Sequence, residues 1–391
     1  MNYILFDGPA RNKLLPLTLT RPVADIRIGI LTIKEKWEQV LNASTSTKTE
    51  EYLNKKYPTI ISDDNVLIAG SVLPNHDLVI EIESLLPGQI LKKEDFEIAI
   101  RPDTSNIHKI NSANYQLIET KTYFLKIENT WDIFSLNHQA ILNDFSLITH
   151  NRKSSKISNT NFIIGDPGKI FFEEGVKAEY TYLNTTDGPI YVGNDAEIME
   201  GSKIRGPFAL CEHSTVKMDA KIYSGTTIGP YSKVGGEINN SVIFGYSNKG
   251  HDGFLGNSVI GEWCNLGADT NTSNLKNTYD IVRLWSYNYN TFVNTGLQFC
   301  GLIMGDHSKS GINTMFNTGT VVGVSSNIYG SGFQRNFIPS FMWGGTHGLK
   351  TYNFKKSVDV AKAVFARRDM EFDQTEESIF NHIYELTHNK K

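Results

Sequence analysis

The chain has 391 residues, enough for two or three domains with substantial cores. Its 42 acidic and 38 basic residues leave a formal charge of -4, which removes the electrostatic footing for nucleic-acid binding but leaves room for local basic pockets. MNYILFDGPARNK at the start lacks a basic segment followed by a long apolar run, no run of about 18 apolar residues occurs, and Cys211, Cys264 and Cys300 show no C-x-x-C spacing, so the expectation is a soluble cytoplasmic protein.

In chain order, Tyr3 to Phe6 reads as a short apolar strand. Ile26, Ile30, Ile33, Trp37, Val40 and Leu41 follow helical spacing and predict a helix that buries that face. Asn42 to Lys56 is polar and reads as an exposed loop. Val66 to Ala69 and Leu78 to Ile82 are further strand candidates, and strands alternating with helices argue for a parallel sheet. His150 to Asn161 reads as a linker.

The middle changes character. Val192, Ile198, Ile204, Leu210, Val216, Ile222, Ile228 and Val234 are eight apolar residues at an unbroken spacing of six. Small residues sit two positions before most of them: Ala196, Ser202, Ser214, Ala220, Thr226 and Ser232, with Phe208 the exception. A period of six is neither helical nor that of a flat strand. It marks short strands wound into a parallel β-helix, each aliphatic rung buried on the next, with small residues at crowded corners. The beat returns out of phase at Ile260 and Leu266, and again at Phe316, Val322 and Ile328. Between the first two runs FGYSNKGHDGFLGNS, from Phe244 to Ser258, opens into a polar loop around His251. After Gly348, Val358, Ala361, Val364, Phe365, Ile379, Phe380 and Ile383 predict one or two helices that cap the solenoid or pack against its open end. The expected domains are 1–155 (α/β), 156–348 (β-helix) and 349–391 (helical cap).

PLTLTRP, from Pro16 to Pro22, with a glycine and basic residues upstream, resembles the opening motif of the sugar-1-phosphate nucleotidyltransferases. That motif is a strand, a G-x-G-T-R loop, L-x-P-L-T and a P-K pair. Glycine lets backbone N–H groups approach nucleotide phosphates, and Arg and Lys offset the repulsion between an anionic sugar phosphate and an anionic α-phosphate. The resemblance implies a Rossmann-like domain with Gly8, Arg11, Lys13 and Arg21 as the nucleotide-binding set. The match is eroded: Pro9 and Arg11 stand where glycines belong and Lys13 at the loop arginine. Val23 replaces the lysine after Pro22, and Ser71 in NVLIAGSVLP replaces the Asp that helps hold Mg²⁺. Asp7, Asp103 and Asp132 are alternative carboxylates with no spacing to choose among them. Two readings stay open, a retained fold without the reaction and an altered working site that uses Mg²⁺.

The combination of such a domain with hexapeptide repeats resembles the bifunctional UDP-N-acetylglucosamine pyrophosphorylase / glucosamine-1-phosphate N-acetyltransferase family, in which a left-handed β-helix trimer carries the acetyltransferase. The family's E-x-K-N-S, K-x-G/P-H-L-x-Y-L-G-D and I-G-x-x-x-N-I-G-A-G-T segments are matched by EINNS (Glu237 to Ser241), NKGHDGFLGN (Asn248 to Asn257) and IGEWCNLGADT (Ile260 to Thr270). SNLKN, from Ser273 to Asn277, stands at a C-N-Y stretch. The resemblance implies His251 as general base and Glu237, Asn239, Lys249, Phe254, Asn265 and Asn274 as substrate-binding residues. It places Ala268, Ile312 and Gly330 beside acetyl-CoA. Departures are Asn239 for the lysine that grips the sugar phosphate, Phe254 for a tyrosine and Ile312 for a serine. An insertion runs from about Asp280 to Leu302.

The chemistry stands apart from the resemblance. Acetyl transfer from a thioester needs a neutral amine, and a histidine with a pKa near 6.5 takes up that proton at working pH. Asparagines and backbone N–H groups orient sugar hydroxyls and polarise the thioester carbonyl. Lys249, two residues before His251, is a candidate for phosphate affinity. The bland readings are a solvated His251, an Asn265 that caps a turn, and His213 and His307 as surface or packing residues. A metal-dependent lyase would need converging histidines, and no H-x-x-x-x-H pair occurs. Lys350, Lys355, Lys356, Arg367 and Arg368 form a basic cluster suited to a solvated face or to the phosphates of coenzyme A.

The expected activity is acetyl-CoA-dependent N-acetylation of an amino-sugar phosphate, coupled to nucleotidyl transfer from a nucleoside triphosphate, giving UDP-N-acetylglucosamine or a similar nucleotide sugar. The expected assembly is a homotrimer. Alternatives are a nucleotidyltransferase whose β-helix only oligomerises or binds an effector, and a non-catalytic sugar-nucleotide sensor.

Overall fold

The computed structural model describes residues 1–103, 107 and 114–388. The chain forms two compact units. One comprises Met1–Leu14, Thr20–Ile26 and Leu31–Asn129; the other comprises Leu15–Leu19, Arg27–Ile30 and the chain from Thr130 onward.

The first unit is built on a sheet in the order Thr45–Lys48, Asn2–Phe6, Asn65–Ala69, Phe96–Arg101, Gln89–Lys93, Gln116–Glu119. Asn2–Phe6 runs parallel to both neighbours, with Tyr3 opposite Thr45 on one side and Val66 on the other. Phe96–Arg101 is antiparallel to both of its neighbours, so the sheet is mixed. This corrects the expectation of a parallel sheet, and three further sequence expectations need correction. The predicted helix occupies only Ile33–Leu41: Thr32 caps it, accepting from Glu35 N at 3.1 Å while Glu35 reaches back to Thr32 N at 2.6 Å. Ile26 and Ile30 are buried outside it, because Gly29 at φ 75° interrupts the backbone between them. The polar segment after Asn42 is not all loop, since Thr45–Lys48 is an edge strand with Thr45, Ser46 and Thr47 buried, its β-branched threonines suiting a pleated surface. Leu78 to Ile82 lies in a helix, His76–Glu83, started by Asn75, whose side chain accepts from Leu78 N at 2.9 Å.

The second unit contains a parallel β-helix with short strands on three sheets, as the repeat predicts, and it is the left-handed hexapeptide solenoid that the family resemblance implies. The strand Ile190–Val192 stacks through Phe208–Leu210 and Thr226–Ile228 to Val242–Ile243, keeping Val192, Leu210, Ile228 and Ile243 in one inward column. Each such side chain, buried against rungs above and below, contributes about 1.5–3 kcal/mol. At one corner Ser214, Ser232, Ser247, Ser308 and Ser326 donate to carbonyls of the following coil: Gly229, Phe244, Gly261, Gly323 and Pro339, at 2.6–2.9 Å.

Beside that serine column the backbone turns left-handed, and His213, Tyr231, Tyr246, Trp263 and His307 occupy positions with φ between 54° and 62°. Bulky residues are uncommon there; here their rings stack from coil to coil, His213 on Tyr231 at 4.7 Å, Tyr231 on Tyr246 at 5.0 Å and Tyr246 on Trp263 at 4.2 Å. The C-terminal helices Phe354–Ala366 and Gln374–His388 lie along this aromatic corner, placing Phe365, Phe372 and Phe380 around Trp263 and His307. The segment 280–302 carries a hairpin, Arg283–Ser286 with Thr291–Asn294, anchored by Trp285 stacking on Phe337 at 4.2 Å.

Candidate functional site

Pairing in the solenoid alternates inward and outward residues, so the residue before each rung points out. On the sheet after the aromatic corner this gives an outward row, Lys233, Asn248, Asn265 and Lys309, each paired with the next. The row belongs to the lining of a cavity of about 660 Å³ that Tyr246, Trp263, Val364, Arg367 and Arg368 also border. Lys217, His251, Ala268 and Ile312 border it too, so five cationic side chains and a histidine surround one trough.

His251 lies in the loop between strands Asn248–Lys249 and Phe254–Gly256, at the corner where one sheet gives way to the next. The loop is narrow: Gly253 has φ 115°, and a Cβ there would come within 2.3 Å of the Thr270 carbonyl oxygen. The His251 ring is exposed, and among the described residues no protein group hydrogen-bonds to it, which leaves both nitrogens open to a ligand.

Of the sequence-predicted residues, the trough unites His251, Asn265, Ala268 and Ile312, the last 70% exposed. Glu237, Asn239 and Phe254 lie on the adjoining sheet, with Glu237 paired to Phe254 and Asn239 to Gly256. Asn274 donates to the Asn257 side chain at 2.8 Å beside that sheet. Gly330, at φ 107°, is not among the residues bordering the trough. Lys249 is buried rather than facing a ligand, pairing with Val234 in an inward column, with its amine on the carbonyls of Gly235 (3.1 Å) and His251 (2.8 Å). Burial draws that amine down to about 8, partly opposed by Asp252 and Asp269, and burial also lowers Lys309. The Cys264 thiol is pushed up to about 12 by burial, the wrong direction for a nucleophile.

Lys217, Lys233, Asn248 and Lys309 were not singled out for this trough from the sequence. The available signal was their place immediately before or after a rung, legible once the coil length is known.

In the first unit a cavity of about 370 Å³ sits at the C-terminal ends of Asn2–Phe6 and Thr45–Lys48, between strands that the chain visits on opposite sides, where α/β sheets receive ligands. Gly8 and Arg11 border it; Lys13 and Arg21 are not among its lining residues. Arg11 is buried and pairs with Asp7 at 2.8 Å, and it also donates to Thr49 at 3.2 Å and Tyr52 at 3.0 Å. Val23, where the related motif has lysine, donates its backbone N–H to the other Asp7 oxygen at 2.7 Å. Of the three alternative carboxylates only Asp7 borders this cavity, beside Glu50 and Glu97. Both Asp7 oxygens are already engaged, so Asp7 does not fit a Mg²⁺ ligand in this arrangement.

Residues 3–153 match the model of a family described as sugar nucleotidyl transferase. Over 261 residues the chain is 29% identical to the bifunctional protein GlmU of Methanococcus vannielii, covering 66% of this chain and 54% of that one. It is 25% identical over 271 residues to a bifunctional sugar-1-phosphate nucleotidylyltransferase/acetyltransferase of Sulfurisphaera tokodaii, covering 69% and 59%. The chain therefore spans little more than half the length of these relatives. Among solved structures it shows a partial likeness to the UDP-N-acetylglucosamine acyltransferase from Campylobacter jejuni, at 16% identity and a TM-score of 0.25, over 60% of this chain and 86% of that one.

Proposed function

We propose that this chain, a divergent relative of the bifunctional sugar-1-phosphate nucleotidylyltransferase/acetyltransferases, acetylates the amine of an amino-sugar phosphate from acetyl-CoA at the His251 trough. The observation that carries the reading is an exposed histidine on a cavity bordered by Lys217, Lys233, Lys309, Arg367 and Arg368, a lining suited to phosphorylated ligands. In the proposed reaction His251 takes a proton from the amine as its nitrogen attacks the thioester carbon. The carbon–sulfur bond then breaks, and coenzyme A leaves as a thiol once protonated. Asn248 and Asn265 orient hydroxyls, and the cations hold phosphates of the sugar or of coenzyme A.

A homotrimer completes the proposal. Phe162, Ile164 and Tyr182, 40–56% exposed, lie on the sheet that also carries Glu237, Asn239 and Phe254, and Tyr223, 43% exposed, directly follows one of its strands. A neighbouring copy seated there would hide an apolar face and bring Glu237, Asn239 and Phe254 toward a His251. The first unit is assigned nucleotidyl transfer, in which a sugar-phosphate oxygen attacks the α-phosphorus of a nucleoside triphosphate and expels pyrophosphate. The family match and the cavity at Gly8 support that assignment. No helix among the described residues is long and apolar enough to cross a membrane.

The test is a panel of amino-sugar 1-phosphates with acetyl-CoA, read by thiol release, and with UTP or dTTP, read by pyrophosphate release. Thiol release lost in His251→Ala carries the proposal; none from the wild-type protein across the panel ends it. Pyrophosphate release alone would favour a nucleotidyltransferase with a scaffolding β-helix.

A further inference from the structure

Lys249 occupies a rung. On its sheet the inward column runs Val216, Val234, Lys249, and the following coil contributes Leu266 to the same core. The lysine is 1% exposed. An aliphatic residue would fill that site without desolvating an amine, and replacing buried charges by apolar side chains of similar volume is commonly neutral or stabilising. Packing therefore gives no reason for an amine here, and the reason has to lie in what it touches.

It touches two carbonyl oxygens. One belongs to Gly235 on the preceding coil, the other to His251 in the loop that follows Lys249. Elsewhere the loop is fixed near its ends: Gly235 N donates to Lys249 O at 2.7 Å, Asp269 N to Asp252 O at 3.1 Å and Glu237 N to Gly253 O at 3.2 Å. The amine reaches the His251 main chain from beneath and ties it to the coil below. We propose that Lys249 is a positioning residue for His251, its buried amine bridging Gly235 and His251 and so fixing where the imidazole stands at the trough. This rests on the acetyl-transfer reading for its catalytic meaning, but the tether itself does not. Burial weakens the amine's hold on its proton, and both protonation states carry N–H groups able to donate to the two carbonyls.

The test is Lys249→Met, which keeps the stem and removes the donor. The expected result is a melting temperature equal to or above wild type, exchange of the Glu237 and Asp269 amides, which donate to the loop carbonyls of Gly253 and Asp252, faster by at least tenfold, and kcat for thiol release lower by about 10- to 100-fold with KM for acetyl-CoA unchanged. Lys249→Gln, with an amide donor, should recover part of the exchange protection and of kcat. Unaltered exchange at the Glu237 and Asp269 amides overturns the proposal, whatever happens to the melting temperature. If the wild-type protein releases no thiol, the exchange result still decides the tether, and the acetyl-transfer reading fails by itself.

Discussion

The ring of Phe365 lies on that of Trp263, with centroids 4.0 Å apart and planes 25° from parallel. Through this contact a C-terminal helix joins the aromatic corner and brings Val364, Arg367 and Arg368 to the trough. Phe365→Ala removes a buried ring that also meets His307 and Phe372. It should cost about 3–5 kcal/mol, and thermal unfolding with faster amide exchange over Phe354–Ala366 would register the loss. Unchanged exchange there would mean the helix is held by other contacts.

His251→Ala should lower kcat for thiol release by about 10²–10⁴ while leaving the melting temperature within a degree or two, because the exposed ring supports no packing. Steady-state kinetics beside a thermal melt separates the two. A variant that melts early and is inactive would point to folding.

Lys233→Ala and Arg367→Ala remove exposed cations from the trough without touching its core. Each should raise KM for a phosphorylated substrate severalfold with kcat nearly unchanged. The wild-type KM should itself climb with salt, since charges beyond about 10 Å are screened at 0.1 M. A salt-independent KM would remove the electrostatic role.

Lys249 holds its proton more weakly in the fold, at about 8, than the usual 10.5. Between those values the unfolded chain carries the extra proton, so the group makes stability rise with pH across that interval and opposes folding below about 8. Lys309, also lowered by burial, acts in the same direction. Denaturant midpoints measured from about pH 7.5 to 10 should climb less steeply in Lys249→Met than in wild type. Parallel curves would show that the amine is not desolvated.

Asp7 and Arg11 are each 8% exposed. Asp7→Asn removes the buried carboxylate from the guanidinium, which keeps the half-exposed Glu50 at 3.5 Å as an ion-pair partner, and should destabilise the first unit by up to about 3–5 kcal/mol. Urea unfolding followed by Trp37 fluorescence would detect it. Restored stability in the double variant Asp7→Asn, Arg11→Met would identify the pair as a coupled unit.

The solenoid was legible because its period is enforced by burial: a polar residue at Val216 or Ile228 would face neighbouring rungs, so composition records geometry directly. The same rule hid Lys249, since a lysine beside a histidine reads as a surface ligand until pairing with Val234 shows which way it points. Thr45–Lys48 escaped because hydroxyl-rich strands look like loops, their hydroxyls being met by Glu38 at Thr45 and by the Ile60 main chain at Ser46. Leu78 to Ile82 is a short apolar run whose period cannot separate helix from strand, and only the Asn75 cap decides it. Lys233, Lys309, Arg367 and Arg368 are far apart in sequence, and the coil and the Phe365 contact bring them to one cavity.

The serine column has a mechanical consequence. Each hydroxyl donates to the next coil while accepting an N–H from it, as Ser232 does with Phe244 O and Ser247 N. The links run in series, so tension applied along the axis is borne by every link alike. At Cys264 the hydroxyl is replaced by a thiol reaching Gly305 O at 3.3 Å, a weaker donor and acceptor. Stretched end to end in an optical trap, the spring should yield first between the coil of Cys264 and that of Ser308, and Cys264→Ser should raise the yield force.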